Sequence, residues 1–393
     1  MTLDHVVQVR VLAGQPKRRN NDSDVIVSFF LGRKFVKIAV LLSGGVDSSV
    51  ALTLLHLAGH DVTAFYIKIW LEDELSFLGQ CPWEEDLKYA RAVCSQWNIP
   101  LEIVSLQREY YQNVVAYALE ELKRGHTPSP DIFCNLHIKF GTFYERIDPS
   151  FVKVASGHYA RIQEHDDHVL LQTCPDQVKD QTYFLSHLCQ KQMQRILFPI
   201  GEFTKPQVRE LATKYNLATK DRKDSQGICF LGKIKYNVFI KHHLGEKKGP
   251  IIEKETQKKL GEHHGYWYHT IGQREGLGLS GGPWYVVAKD IANNIIYVSR
   301  QFEKTQRAQD SFYVADFNWI YQPLSETANL RVKVRHGPQF YEAKLVQDNL
   351  GHRVILTKEK DAGIAPGQFT VFYQDDICLG CAKIVEPMDN SNA

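Results

Sequence analysis

Hydrophobic positions in the first part of the chain follow two different periods. Short apolar runs rich in β-branched residues are typical of buried parallel strands. Such runs cover residues 35–42, 61–70, 99–104 and 151–155. Apolar side chains three and four positions apart, which form one face of a helix, occur at residues 46–58 and 84–97. Because strands and helices alternate, the pattern predicts an α/β domain with a doubly wound parallel sheet.

The pattern changes after about residue 235, where glycines and short alternating segments replace the helical stretches. The alternating segments are residues 284–288, 295–298, 330–334, 341–346, 353–357 and 369–373. Short strands separated by turn residues predict a small antiparallel β barrel at the C-terminus. A chain of 393 residues is also too long for one ordinary core. We therefore expect an N-terminal extension (1–33), the α/β domain (34–234), a small central domain (235–300) and the C-terminal β barrel (301–388).

Composition excludes several classes of protein. Hydrophobic content of 44% and charged content of 23% are typical of a soluble globular chain. The longest apolar runs fall short of the ~20 residues that a membrane span requires. Eight cysteines spread over the chain indicate a reducing compartment. Residues 191–260 contain 16 Lys and Arg against 7 Asp and Glu, which makes them a candidate RNA-facing surface or simply a solvated one.

The N-terminal extension leaves the compartment open. It lacks the apolar core of a secretory signal, and Asp4, Asp22 and Asp24 are unlike an organelle transit peptide. We expect a cytoplasmic protein if the source is bacterial and a chloroplast or mitochondrial one if it is eukaryotic. Secretion is not expected.

The segment Ser43-Gly44-Gly45-Val46-Asp47-Ser48-Ser49 lies between a predicted strand and a predicted helix. Glycines there allow a tight turn, and loop amides at a helix N-terminus bind anions such as phosphate. The chain has no Gly-x-x-x-x-Gly-Lys-[Ser/Thr] motif, so transfer of a γ-phosphoryl group is not the leading hypothesis. A plain glycine turn is the structural alternative.

This loop resembles that of the ATP pyrophosphatase superfamily, whose members adenylate a substrate oxygen and release pyrophosphate. Within that group, residues 36–385 resemble the tRNA-specific 2-thiouridylases. The segments that carry the resemblance are residues 125–135 (Gly-His-Thr-Pro-Ser-Pro-Asp-Ile-Phe-Cys-Asn), 156–160, 179–185, 224–232 (Asp-Ser-Gln-Gly-Ile-Cys-Phe-Leu-Gly), 269–274 and 366–368. The resemblance implies that the α/β domain is an ATP pyrophosphatase-type catalytic domain.

The resemblance also implies a reaction and its catalytic residues. ATP adenylates O2 of the wobble uridine of a tRNA, and a persulfide on Cys229 then delivers sulfur to C2. Cys134, the family's nucleophile, releases that sulfur and forms a disulfide with Cys229. From the residues alone, Asp131 stands three positions before Cys134 and is a candidate general acid or base. Cations shortly before Cys229 would stabilise its thiolate.

Contact residues follow from the matched positions. For ATP the resemblance implies Leu41, Leu42, Ser43, Gly44, Gly45, Val46, Asp47, Ser48, Ile67 and Gly157. For tRNA it implies Ser129, Pro130, Asp131, His158, Lys179, Asp180, Gln181, Arg335, His336 and Gln368. The family usually has Asn where Ser129 stands and often Met where Ile67 stands.

The other cysteines are interpreted structurally. A free cysteine is commonly a small buried hydrophobe, and we expect this of Cys81, Cys94, Cys174 and Cys189. The pair Cys378 and Cys381 has no second pair or histidines at ligand spacing, which favours a strand end over a zinc site.

The expected cofactors are ATP and Mg²⁺, with the ion bound mainly through ATP rather than by a protein metal site. The expected partners are a tRNA with a wobble uridine and a persulfide-carrying sulfur donor; a monomer without membrane contact is expected. Two alternatives remain. An amide-forming synthetase or a tRNA-lysidine synthase would share the loop and lack the cysteine pair, and an RNA-binding protein would carry an inactive loop.

Overall fold

A computed structural model describes residues 36–69, 82–224, 236–301, 309–322, 330–361 and 363–387. The predicted N-terminal extension, Cys81 and Cys229 lie outside these residues. Within the described part, no helix is long and apolar enough to cross a membrane.

The strands, in chain order, are β1 (Lys37–Leu41), β2 (Asp61–Lys68), β3 (Leu101–Ser105), β4 (Lys153–Ala155), β5 (Arg161–Glu164), β6 (Val169–Gln172), β7 (Ile196–Leu197), β8 (Gly249–Glu253), β9 (Lys259–His263), β10 (Tyr285–Asp290), β11 (Ile295–Ser299), β12 (Ser311–Trp319), β13 (Leu330–Lys333), β14 (Tyr341–Asp348), β15 (Gly351–Leu356), β16 (Phe369–Gln374) and β17 (Ile377–Val385). The α-helices are α1 (Val46–Leu57), α2 (Pro82–Trp97), α3 (Gln107–Tyr110), α4 (Ala116–Lys123), α5 (Pro130–Phe133), α6 (Phe143–Arg146), α7 (Thr182–Leu185), α8 (Gln190–Met193), α9 (Lys205–Lys214) and α10 (Tyr236–Leu244). Tyr111–Val115 and Cys134–Thr142 are π-helical, and Tyr266–Tyr268 is a 3₁₀ turn.

The predicted doubly wound sheet is confirmed. Its strand order is β3-β2-β1-β4-β7, and every pair in it is parallel. Side chains of β1 alternate between two cores: Ile38 and Val40 pack towards α1 and α2, whereas Ala39 and Leu41 join the core on the other face. This alternation explains the continuous apolar run in the sequence, because both faces of the strand are buried.

The strand order places the candidate site. The chain runs outwards from β1 to β3 on one side and from β4 to β7 on the other, so β1 and β4 are the neighbours at the switch point. In open parallel sheets, ligands bind in the crevice at the carboxyl ends of such strands. The nucleotide loop follows β1, and the segment with Gly157 follows β4.

The central region forms a separate four-stranded sheet of order β10-β11-β8-β9. Two segments whose alternation we associated with the C-terminal barrel, residues 284–288 and 295–298, instead belong to β10 and β11 of this sheet. The reason is long-range pairing, because β11 lies parallel to β8 with Ile296 opposite Ile251.

The predicted C-terminal antiparallel barrel is also confirmed. Six strands follow the order β12-β15-β14-β13-β16-β17, and pairing of β12 with β17 closes the ring. The hairpin β5–β6 extends this sheet, with Ile377 and Cys378 of β17 opposite Gln172 and Leu171. The barrel sheet therefore takes two strands from the chain that precedes the central region.

Candidate functional site

The nucleotide loop leaves β1 and enters α1 through an ordered set of hydrogen bonds. The backbone N–H of Ser43 donates to Ser48 Oγ at 3.2 Å, and the hydroxyls of Ser48 and Ser49 donate to Gly45 O at 3.2 and 2.7 Å. Gly45 has extended backbone (φ −83°, ψ 164°) and precedes the first helical residue. The first amides of a helix have no intrahelical acceptor and are available to an anion. The loop therefore has the geometry of a phosphate site.

Gly157 lies directly against the backbone of this loop. A Cβ atom at this position would be 2.6 Å from Ser48 N and 2.7 Å from the carbonyl carbon of Asp47. Cβ atoms do not approach backbone atoms so closely, so only glycine fits without a shift of the loop. The predicted loop and the predicted Gly157 contact are thus adjacent in space.

Asp47 is held by two side chains from distant parts of the chain. Its Oδ1 accepts hydrogen bonds from Tyr159 Oη at 2.8 Å and from Lys205 Nζ at 2.7 Å, and its Oδ2 lies 2.9 Å from Lys205 Nζ. Burial, together with the charge of Asp47, raises the pKa of Tyr159, so the phenol keeps its proton and donates. The Asp47 carboxylate therefore has one orientation within the first turn of α1.

Asp224 collects three cations beside the loop. Its carboxylate is 2.8 Å from Lys179 Nζ, 2.8 Å from Lys205 Nζ and 2.5 Å from the guanidinium of Arg209. Burial by itself would raise the pKa of Asp224, but the hydrogen bonds from Lys179 and Lys205 hold that pKa below its ordinary value. Part of the basic excess in residues 191–260 therefore neutralises a carboxylate next to the nucleotide loop.

Cys134 lies at the junction of α5 and the π-helical segment that follows it. Ser129 precedes α5 and Pro130 is its first residue, where the missing N–H of proline removes no hydrogen bond. Cys134 is 2% exposed, and Asn135 Nδ2 donates to a carbonyl of α7 at 3.0 Å. Asp131 is on the same short helix as the thiol. Isolated π-helical turns frequently occur at functional sites.

The Asp180 turn joins the catalytic domain to the barrel. Asp180 Oδ1 accepts from Thr182 Oγ1 at 2.6 Å and lies 3.4 Å from Lys333 Nζ, in a pair that is 2% and 0% exposed. The carbonyl of Asp180 accepts from His336 Nε2 at 3.1 Å. The His336 ring stacks on Phe184 with centroids 4.6 Å apart and planes 18° apart.

His336 also shares its surroundings with Asp131. Burial lowers the pKa of His336, assisted by the charge of Lys333, while the hydrogen bond to Asp180 and the carboxylates of Asp180 and Asp131 act in the opposite direction. The helix α5, which carries Asp131, packs against α7, and Phe184 of α7 stacks on the His336 ring. Three residues predicted to contact tRNA are therefore close together, although they come from three distant segments.

His158 occupies the interior of the catalytic domain. It is 8% exposed, its Nδ1 is 2.7 Å from Ser156 Oγ, and its ring centroid lies 6.0 and 5.8 Å from those of Phe140 and Phe198. Burial holds the pKa of His158 well below its ordinary value, which keeps the imidazole neutral. Its contact with tRNA stays a prediction.

The remaining predicted tRNA residues mostly have partners within the protein. Arg335 donates to the Asp361 carboxylate with both terminal guanidinium nitrogens, Nη1 at 3.0 Å and Nη2 at 2.5 Å. Gln181 Oε1 accepts from Tyr159 N at 3.0 Å. Gln368 Oε1 is buried and has no hydrogen-bond partner among the described residues. Its contact with tRNA stays a prediction.

One of the structural cysteine predictions is wrong. Cys94 and Cys174 are buried as expected, at 4% and 5% exposure, but Cys189 is exposed. The reason is its position as N-cap of α8, at the start of the helix, where its backbone N–H donates to Gln192 Oε1 at 3.1 Å. Cys378 and Cys381 are buried on β17, at 1% and 0% exposure.

Sequence reasoning missed Tyr159 and Lys205, and it assigned Arg222 to the cations before Cys229 without its contact with the nucleotide loop. Lys205 is the first residue of α9, where a cation opposes the helix dipole, and that misfit was a usable signal that its charge has a specific partner. Tyr159 lay in a matched segment, but nothing local indicated its hydrogen bond to Asp47. Arg222 donates to the carbonyl of Gly44 at 2.6 Å, a contact across 178 positions that no local pattern reveals.

The buried pair of Lys333 and Asp180 leads to a stability prediction. The Lys333→Met variant leaves the Asp180 carboxylate buried without its cation, and removing one partner of a buried pair costs about 3–5 kcal/mol. We expect a clearly lower urea midpoint by circular dichroism. The exposed pair of Lys358 and Glu342, 2.8 Å apart, is the matched control, because Lys358→Met is expected to cost at most about 1 kcal/mol. Equal midpoints for the two variants would contradict the assignment.

Comparison with known proteins identifies the family. Residues 36–233 match the family described as the tRNA methyl transferase HUP domain. Residues 237–300 match the tRNA methyl transferase PRC-barrel domain, and residues 309–384 match the aminomethyltransferase beta-barrel domain. These three matches follow the three sheets in order.

Curated relatives name an activity other than methyl transfer. The chain is 47% identical over 355 residues to a tRNA-specific 2-thiouridylase of Bacteroides thetaiotaomicron, covering 89% of this chain and 99% of the relative. It is 46% identical over 357 residues to a tRNA-specific 2-thiouridylase of Parabacteroides distasonis, with the same coverage of both chains. Among solved structures, an NMN synthetase from Francisella tularensis shares 17% identity at a TM-score of 0.34, covering 57% of this chain and 85% of that one. Identity above 45% over nearly the whole length of the curated relatives is decisive: the chain belongs to the family of tRNA-specific 2-thiouridylases.

Proposed function

We propose that the chain converts a wobble uridine of tRNA to 2-thiouridine, at the expense of ATP. In the first step, O2 of the uridine attacks the α-phosphate of ATP and pyrophosphate leaves. The loop from Ser43 to Ser49 supplies amides and hydroxyls to the phosphates, and Gly157 allows the close approach of the two backbone segments. Adenylation converts O2 into part of a good leaving group, AMP.

The second step uses both cysteines. The terminal sulfur of a persulfide on Cys229 attacks C2 of the base, and the bond from C2 to the adenylated oxygen breaks. The Cys134 thiolate then attacks Sγ of Cys229, so the sulfur bound to C2 departs with the base and a Cys134–Cys229 disulfide forms. An external thiol must reduce that disulfide before the next turnover. Asp131, on the same short helix as Cys134, is proposed as the general acid or base.

One observation carries the link between the two steps. Lys205 bridges Asp47 of the nucleotide loop and Asp224, at 2.7 and 2.8 Å. Asp224 precedes Cys229 by five residues, and a chain of five residues spans at most about 18 Å. The segment that bears the persulfide cysteine therefore starts beside the nucleotide loop, as transfer of sulfur to an adenylated base requires.

We propose that magnesium enters this site as a companion of ATP. The described residues contain no group of three or more His, Cys, Asp or Glu side chains that could hold a metal ion. Two carboxylates at the loop, those of Asp47 and Asp224, are engaged with lysines. Because Mg²⁺ is commonly held by substrate phosphates and water, we propose that it enters with ATP.

The partners are proposed on the same basis. The substrate is a tRNA whose flipped uridine contacts Ser129, Pro130 and Asp131. Further contacts with the tRNA come from Lys179, His336 and Gln368. Unstacking the base costs a few kcal/mol, on the order of 2–3. A persulfide-carrying protein supplies sulfur, and the chain acts as a monomer.

The experiment is direct thiolation of tRNA. Purified protein is incubated with ATP, Mg²⁺, an unmodified tRNA transcript and glutathione persulfide, which transfers its outer sulfur to a thiol, and the nucleosides are measured by mass spectrometry. We expect 2-thiouridine together with tRNA-dependent release of pyrophosphate. Pyrophosphate release with a modified nucleoside other than 2-thiouridine would favour a different acceptor, and no tRNA-dependent release would favour simple RNA binding.

A further inference from the structure

A buried carboxylate joins the barrel to the segment that leads to Cys134. Glu121, near the end of α4, is 4% exposed in its side chain. Its Oε1 accepts from Lys383 Nζ of β17 at 2.8 Å, and its Oε2 lies 3.0 Å from His126 Nδ1. Burial would raise the pKa of Glu121, but the hydrogen bonds from Lys383 and His126 lower it, so the carboxylate is ionised.

The backbone repeats this connection. Thr127 N donates to Pro366 O of the barrel at 2.9 Å. Gly367 (φ +90°) comes so close that a Cβ there would be 2.7 Å from His126 Cβ and 2.9 Å from Glu121 Oε2. The barrel is therefore in direct backbone contact with the start of the segment that leads to Cys134. Only glycine fits at position 367, between the two.

The central domain also donates hydrogen bonds to the turn at the end of α4. Tyr266 Oη donates to Lys123 O at 2.5 Å, and Lys289 Nζ donates to Gly125 O at 2.8 Å. These carbonyls lie at the C-terminal end of α4, where a donor or a cation is favourable. Residues 121–127 are thus held by both of the other domains.

We propose that Glu121 and Lys383 are positioning residues for Cys134, so that the barrel sets the place of the nucleophile. From Thr127 the chain reaches Cys134 through Pro128 and Pro130, whose fixed φ angles make the connection stiff. A shift at the anchored end is therefore carried to α5 and to the thiol. This inference rests on the proposed function, because it assigns the geometry of that same site.

The energetics favour positioning over stability. Replacing a whole buried ion pair by apolar residues of the same volume often costs little stability, whereas the pair restricts two elements to one arrangement. Removing only one partner is strongly destabilising, so ATP affinity is measured beside the rate. Displacement of a reacting group by about 1 Å can lower a rate by about a hundredfold. The nucleotide loop is anchored separately by Lys205 and Tyr159, so ATP binding does not depend on Glu121.

The test compares three variants of the full chain: Lys383→Met, Lys383→Arg and the exposed control Lys358→Met. Single-turnover formation of 2-thiouridine is measured with saturating ATP and tRNA, and ATP affinity is measured by equilibrium dialysis. We expect Lys383→Met to lower the rate by about tenfold to a hundredfold with ATP affinity unchanged. Lys383→Arg is expected to restore most of the rate, because it keeps the cation.

A second readout does not depend on activity. Cys134 is 2% exposed, and its alkylation by iodoacetamide in the Lys383→Met variant is expected to be several times faster than in the control. The inference is overturned if Lys383→Met thiolates at the rate of the control, or if it loses ATP affinity in parallel, which would indicate general unfolding. Failure of the proposed function itself is distinct, since the unaltered protein would then form no 2-thiouridine.

Discussion

Replacing Cys134 with serine is expected to lower the rate of 2-thiouridine formation by about 10³-fold or more. Release of pyrophosphate that depends on tRNA is expected to continue. The two outcomes separate because, in the proposed mechanism, adenylation uses the nucleotide loop, whereas release of sulfur from Cys229 needs a second thiolate. A hydroxyl in place of the thiol cannot form the disulfide that frees the product. The adenylated or persulfide-linked tRNA is expected to accumulate instead.

The measurement uses ATP, an unmodified tRNA transcript and glutathione persulfide as the sulfur source. Cys229→Ser is expected to behave in the same way, because it removes the carrier of the persulfide. Cys94→Ser is the matched control: Cys94 is also buried, at 4% exposure, but lies on α2 in a different core cluster. Formation of 2-thiouridine by Cys134→Ser at a rate near that of the control would contradict the assigned role.

Replacing Gly157 with alanine is expected to weaken ATP binding by about tenfold to a hundredfold. The added Cβ would lie 2.6 Å from Ser48 N. The loop must therefore move away from the segment that follows β4 and contains residue 157. Each charge-assisted hydrogen bond to a phosphate that is lost in this shift is worth about 1.5–3 kcal/mol. One such bond accounts for the expected loss, because about 1.4 kcal/mol corresponds to a factor of ten in affinity.

Equilibrium dialysis with labelled ATP measures the affinity directly. Gly261→Ala is the matched control, because a Cβ at Gly261 meets only the end of the Leu279 side chain, which can rotate. That variant is expected to bind ATP normally. An unchanged affinity in Gly157→Ala would show that the phosphate site lies elsewhere.

Local pattern was sufficient for the strands β1 to β4 and for the helices α1 and α2 of the catalytic domain, but it did not predict β5 to β7 or the helices α3 to α9. The apolar runs and helical faces predicted α1 and α2 within two residues of their observed ends, Val46–Leu57 and Pro82–Trp97. The reason is that a strand buried on both faces requires a continuous apolar run, and a helix buried on one face requires apolar residues three and four positions apart. Both patterns are visible in the sequence. The nucleotide loop was recognisable for the same reason, since its glycines and hydroxyls act through neighbouring backbone.

Pairing between distant segments was not accessible in that way. The hairpin β5–β6 joined the barrel sheet, and β10 and β11 formed the central sheet, because strand partners are chosen by tertiary packing rather than by local alternation. Cys189 was assigned to the interior from its residue type, but helix capping keeps it at the surface.

The sequence by itself determined the family and the loop, and it predicted the two cysteines that we propose for sulfur transfer, because each is a local motif of residue types. Only the tertiary structure decided what holds them. Lys205 reaches Asp47 across 158 positions, and Lys383 reaches Glu121 across 262. Charges find partners through space, and the partner of a buried cation is decided by which elements pack together. The positions of the nucleotide loop and of Cys134 are therefore properties of the folded chain.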